Sequence, residues 1–282
     1  MSAITSRETA PPPRPAAEDR ASERVTLPNV IRSEWTKLWS LRSTRWSLIA
    51  SLVAMIGLAA LVSAVQMSRW DQRSLGDRLS YDSINNAVAG YHLAQLAIGV
   101  LGVLVISGEY TTGMIRSSMM AVPRRLPVLW AKLIVFAAVT FVLMLVASFI
   151  AFFIVQAIDT QHHVQHSIGD PGALRTVIGA ALFLTVLGVM CIGLGGMLRN
   201  TAGGIATFVA LLFVLPGISA ILPSSVNNAI SPYLPLNAGT TIASHTFDNS
   251  NHLAVWTGFA LFCGYALVAV AGAAVSIKRR DA

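Results

Sequence analysis

Residues 108–132 read GEYTTGMIRSSMMAVPRRLPVLWAK and set Glu109, Arg116, Arg124, Arg125 and Lys132 between two long apolar runs. Basic residues beside apolar spans fix the side of a bilayer on which a loop stays. Glu109 and Tyr110 stand at the end of the preceding run, and Thr111, Thr112 and Gly113 can turn the chain and cap a short helix. Met114, Ile115, Met119 and Met120 would give that helix an apolar face suited to a partner's groove, and Arg124 and Arg125 would stop it at the headgroups. Charge alone makes a tether; apolar residues in an otherwise aqueous loop favour a contact surface. The chemistry expected here is docking and transmission of force.

Other reactive residues are less coherent. His162 and His166 have i, i+4 spacing beside His163, with Asp159 and Asp170 flanking them, so a metal site is conceivable. Yet Asp170-Pro171-Gly172 marks a turn and no HExxH is present, so a solvated polar loop is the default and no metal is expected. Ser219 followed by His245 and His252 is an incomplete match to an intramembrane serine protease, which needs Ser and His within hydrogen-bond reach. The phosphate loop Gly-x-x-x-x-Gly-Lys is missing: the three lysines are Lys37, Lys132 and Lys278, and none follows a glycine. Energy for active transport would come from another chain. His92, Gln95 and Gln156 are the main polar groups within apolar runs, where a coupled transporter usually carries ionisable or broken-helix sites. Cys191 and Cys263 fall in such runs and read as small apolar packing residues.

The elements that must position these residues are membrane spans. The 282-residue chain is 54% hydrophobic and 12% charged, too apolar to cover itself with polar surface in water. Runs at about Ser47–Val65, Val88–Ser107, Leu133–Ile158, Val177–Leu198, Gly203–Leu222 and Leu253–Ile277 each approach the ~20 residues needed to cross hydrocarbon. None holds Lys, Arg, Asp or Glu, and the short alternating segments of a barrel are absent. The expected fold is an all-α membrane protein of six transmembrane helices. Sixteen of the 20 basic residues fall on one side, which puts both termini in the cytoplasm. The net charge of +7 then reports topology, and nucleic acid is not expected as a partner. No cleavable signal is expected, because the first apolar run begins near residue 47 behind a polar arm.

Residues 1–28, rich in Pro, Ala, Arg and Glu, are expected to be a disordered cytoplasmic tail, and 29–282 a single six-helix domain. The stretch NVIRSEWTKLWSLRSTRW predicts an interfacial amphipathic helix, with Ile31, Trp35, Leu38, Trp39 and Trp46 along one side and Arg32, Lys37 and Arg45 elsewhere. It is either an anchor setting the height of the first span or a mechanical connector. Gln66–Ala87, with balanced charge, reads as an ordinary external loop with a helical turn. Ala229–Ala243, apolar but too short to span, reads as a re-entrant or interfacial piece. Gly99, Gly102, Gly188, Gly193, Gly195, Gly196, Gly203 and Gly204 predict close helix packing.

The segment from Ile31 to Trp46, IRSEWTKLWSLRSTRW, together with Gly108-Glu-Tyr-Thr-Thr-Gly-Met-Ile-Arg116, Pro123-Arg-Arg125 and Ala131-Lys132, resembles bacterial ABC-2 type transporter permeases. The resemblance covers nearly the whole chain from residue 30. It implies a non-catalytic half-transporter in the bacterial inner membrane, with no cofactor, pairing with a second permease copy or paralogue and with two copies of a separate cassette ATPase. It places a coupling helix at about Glu109–Pro123, namely Glu109, Tyr110, Thr111, Thr112, Gly113, Met114, Ile115, Arg116, Met119 and Met120. The interfacial helix maps to Val30–Trp46, with Arg32, Glu34, Trp35, Lys37, Leu38, Trp39, Arg42 and Trp46, and membrane lipids as further partners. Family substrates range over drugs, antibiotics, lipids and peptides. The rivals are a structural or regulatory membrane protein without a transport path, and a secondary transporter or channel.

Overall fold

The computed structural model describes residues 27–111, 113, 126–246 and 251–279. Six helices in it are long and apolar enough to cross a membrane. A first helix, α1 (Leu27–Ser40), precedes span 1, α2 (Arg42–Ser68). The short α3 (Leu75–Leu79) and α4 (Ser83–Val88) lead into α5 (Tyr91–Thr111), and α4 and α5 together make span 2. Span 3 is α6 (Leu126–Asp159) and span 4 is α7 (Ala173–Leu198). Span 5 is composite: α8 (Thr201–Val209), a π-helical turn (Ala210–Val214) and α9 (Leu215–Ile221). Short helices α10 (Ser224–Ile230) and α11 (Pro235–Thr240) precede span 6, α12 (Val255–Arg279).

Span 4 forms the centre and packs on spans 2, 3 and 6. Of its most apolar stretch 78% is buried, against 22% for span 5, which leaves much of its own surface open. Small residues allow the close approach: a Cβ at Gly102 would lie 2.6 Å from the Gly188 carbonyl oxygen. Phe136, Phe183, Phe208 and Phe262 fill the space this leaves and are fully buried.

The termini of the helices follow local chemistry. Asp82 caps α4, accepting from the Ile84 and Asn85 N–H groups at 3.0 Å each. Asn200 caps α8 by accepting from the Gly203 N–H at 2.8 Å. The π turn lies just before Pro216, whose ring excludes a regular bond to the carbonyl four residues back. The Leu215 N–H accordingly donates to the Ala210 carbonyl, five residues back.

Three expectations need correction. The spans are longer than the uncharged runs, so Glu109, Lys132, Asp159 and Arg175 all lie on span helices. They are tolerated there because Glu109, Lys132 and Asp159 are buried against partners, not exposed to hydrocarbon. The amphipathic helix is shorter than 30–46: it stops at Ser40, and Arg42 and Trp46 belong to α2. Its inward face is Val30, Glu34 and Leu38, while Trp35, Trp39 and Trp46 point outward. Indole rings prefer the headgroup level, and Glu34 has a better partner inside.

The 66–87 segment holds more helix than the one turn expected, at Trp70–Gln72, Leu75–Leu79 and Ser83–Val88. Trp70 stacks on His162 at 5.4 Å and meets Tyr81 edge-on at 5.3 Å, with Arg73 and Arg78 over its ring. Residues 229–243 pack into the bundle as short helical turns, with Pro235, Ala238, Gly239, Thr241, Ile242 and Ala243 buried. The N-terminal tail, residues 1–26, lies outside the described residues.

Candidate functional site

The site is assembled at the end of the bundle that carries α1. Glu34 and Lys37, one turn apart on α1, meet Glu109 from the last turn of α5 and Lys132 from the second turn of α6. Lys132 Nζ donates to Glu34 Oε2 at 2.6 Å and to Glu109 Oε1 at 2.9 Å. Lys37 Nζ donates to Glu34 Oε1 at 2.7 Å and approaches Glu109 Oε1 at 3.4 Å. Glu34 and Lys132 are 4% and 5% exposed and Glu109 is buried with them, while Lys37, its side chain 31% exposed, closes the quartet at the surface.

Its electrostatics follow from that burial. Desolvation opposes ionisation of Glu34, but the Lys132 and Lys37 ammonium groups outweigh it and hold the carboxyl below its ordinary value of 4.5. Burial likewise opposes charge on Lys37, yet Glu34 and Glu109 raise it above the ordinary 10.5. Two acids and two bases cancel. The quartet joins α1 to spans 2 and 3, the two spans whose ends border residues 112–125.

A second tie lies at the same end. Arg199, at φ 54° after span 4, donates to the Ser276 carbonyl at 2.6 Å and lies 5.0 Å over the Tyr110 ring. Thr201 Oγ1 donates to Ser107 Oγ at 2.8 Å. The ends of spans 2, 4, 5 and 6 are thereby fastened to one another.

The opposite end is held by different groups. Asp159, with no exposure, accepts from Ser63, Tyr81 and Ser83. Burial and the adjoining Asp159 push the Tyr81 phenol up from its ordinary pKa. His245 bridges Asp82 Oδ2 and the Pro171 carbonyl at 3.0 Å each, and its N–H donates to Asn85. Burial would raise the Asp82 pKa, but hydrogen bonds from Thr246, the Asn85 backbone and His245 leave it below the ordinary aspartate value. One pin thus joins the 66–87 segment, the loop before span 4 and the stretch between spans 5 and 6.

A family model described as ABC-2 family transporter protein matches residues 30–226, well over half of the chain. The chain belongs to the ABC-2 transporter family. No curated protein matches it. As an ABC-2 protein with six apolar helices it is a multi-pass membrane transport component, of a family that works with an ABC ATPase and is generally non-catalytic.

In this ABC-2 chain the expected site residues divide. Glu109, Tyr110 and Thr111 form the last turn of α5, and Gly113 follows at φ 71°. Glu109 is buried in the quartet and so offers no docking surface. Thr111 is exposed, its hydroxyl donating to the Ser107 carbonyl at 3.1 Å. Thr112, Met114, Ile115, Arg116, Met119 and Met120 lie outside the described residues. Of the α1 residues, Glu34, Lys37 and Leu38 turn inward, while Arg32, Trp35 and Trp39 stay exposed.

The minor candidates are engaged elsewhere. His162 stacks on Trp70, His166 pairs with Asp170 at 2.9 Å, and His163 takes φ 58°. The Ser219 hydroxyl donates to Pro216 and His245 to Asp82, so these two do not meet. The quartet and the Asp159 cluster escaped sequence reading. Their only signal was an acid where its surroundings did not call for one: Glu34 in a basic arm, Asp159 at the end of an apolar run.

Proposed function

We propose that this chain is the permease subunit of a bacterial ABC exporter that moves a hydrophobic or amphipathic substrate by alternating access. The α1 end faces the cytoplasm, in the plasma membrane, and a separate cassette ATPase docks on the segment that follows Glu109, through Met114, Ile115, Met119 and Met120. Two such permeases pair with two ATPases. The open surface of span 5, with Val214, Leu215, Ile218 and Ile221 exposed, supports pairing between permeases.

The observation that carries this reading is the quartet. Glu109 and Lys132 root the two ends of the docking segment, and both are bonded to α1. A push on that segment cannot move span 2 without loading span 3 and α1. Buried ion pairs are poor springs but good registers: they hold one arrangement firmly or not at all.

The test replaces Met114 and Ile115 together by Asp in the full chain. ATPase co-purification is expected to fall at least about tenfold, the scale of losing one or two apolar anchors from a groove, with membrane insertion unchanged. Undiminished co-purification would overturn the docking assignment.

A further inference from the structure

His245, at the centre of the pin, sits between two groups that can only accept. Its Nδ1 lies 3.0 Å from Asp82 Oδ2 and its Nε2 lies 3.0 Å from the Pro171 carbonyl oxygen. A carbonyl oxygen has no proton to give. Asp82 has none either, because donors surround it. Its Oδ1 accepts from the Ile84 and Asn85 N–H groups, and its Oδ2 from the Asn85 side-chain amide at 3.0 Å and from the Thr246 hydroxyl. Burial opposes charge on this carboxyl, but the hydrogen bonds outweigh it and keep Asp82 ionised. A neutral imidazole carries one N–H and serves one acceptor; the imidazolium carries two and serves both. The ring is closely seated as well. It lies against Gly172, at φ 86°, where a Cβ would stand 2.9 Å from His245 Cδ2.

The other charges about the ring come from three elements. From the 66–87 segment Asp82 faces it, while the adjoining Tyr81 is turned to Asp159. From the loop before span 4, Asp170 lies near enough to interact with His245 and is itself paired with His166 at 2.9 Å. From the first turn of span 4, Arg175 donates to the Ile242 carbonyl, and its Nη2 would lie 3.5 Å from the same Gly172 Cβ. The neighbours of His245 on its own stretch, Ser244 and Thr246, are uncharged. We infer that the pin is a proton-dependent latch, complete when His245 holds two ring protons and short of one ring bond when the second proton leaves. The proton passes to bulk water, to which the ring, 21% exposed, is open, and the neutral imidazole keeps either Asp82 or Pro171. The latch is therefore closed at acid pH and released as pH rises. The release is local. It frees the stretch between spans 5 and 6 from the entry to span 2 or from the loop before span 4, while the spans keep their packing. It holds whatever the protein carries.

The full chain in mild detergent is followed by hydrogen exchange and mass spectrometry at about pH 5.5 and about pH 8.5, which bracket the ordinary range of imidazole. The segment read is 241–246, in which the His245 N–H donates to Asn85 Oδ1 at 2.7 Å. After correction for the chemical pH dependence of exchange, its protection is expected to be at least about tenfold lower at the higher pH, the worth of one hydrogen bond to a charged group. His245→Gln keeps a donor and an acceptor but takes up no proton, and is expected to show equal protection at both. His166→Asn is expected to keep the step. No step in the unaltered chain, a step that survives in His245→Gln, or a step that disappears with His166→Asn would overturn the inference. The first and the last of these outcomes do not depend on His245→Gln folding.

Discussion

At the scale of single residues the quartet is the most consequential feature, because each member is worth more to the others than to itself. Lys132 serves two carboxylates. Lys132→Met leaves Glu34 and Glu109 facing Lys37 alone in a buried site, and the expected loss is about 3–5 kcal/mol of stability, read as a lowered unfolding midpoint in detergent. Lys132→Arg keeps the charge but replaces a compact point donor with a planar fork, and should recover part of it. The pH dependence has two limbs. The Glu34 carboxyl is held below 4.5, so its contribution is present above that value and lost as pH falls through the depressed pKa. The Lys37 ammonium is raised above 10.5, so its contribution is present below that value and lost as pH rises through the elevated pKa. Thermal unfolding against pH should show a plateau between, and Glu34→Gln should flatten the acid limb. Asp82, also depressed, contributes to that limb from the other end of the protein and sets what remains.

At the scale of elements, packing is decided by where backbones touch. A Cβ at Gly90 would lie 1.8 Å from the Met55 carbonyl oxygen, so spans 1 and 2 meet there backbone to backbone. Gly90→Ala must push them apart and is expected to cost about 1–3 kcal/mol, the usual range for overpacking. Gly57, inside α2, has nothing within 4 Å of such a Cβ. Gly57→Ala should be neutral or stabilise by up to about 1 kcal/mol through helix propensity. Circular-dichroism melts of the two variants check both. The contrast separates glycines that position spans from those that only face lipid. It also shows what periodicity could not say: the small residues were visible in the sequence, but which of them touched was not.

For the molecule as a whole, six apolar runs of spanning length were legible because hydrocarbon imposes a length that composition must meet. The helix ends were not, since Lys132 and Asp159 read as loop residues until their buried partners are known. The quartet draws on positions 34, 37, 109 and 132, and no spacing along a chain announces a meeting across such gaps. The family resemblance reached the fold and the class of protein, as the match over 30–226 bears out. The orientation still rests on charge, with basic residues gathered at the α1 end. It is expected that Ser74→Cys and Ser118→Cys, in a background lacking Cys191 and Cys263, label from opposite sides of intact membranes with an impermeant thiol reagent. Labelling of both from the same side would refute the topology. The joint after span 4 carries a last consequence. Arg199 and Asn200 alone separate the most buried span from the least buried one, and Arg199 is clamped to span 6 and to Tyr110. Any tilt of span 5 would pivot about this two-residue joint, and the end of the span that leads into residues 224–243 would travel furthest.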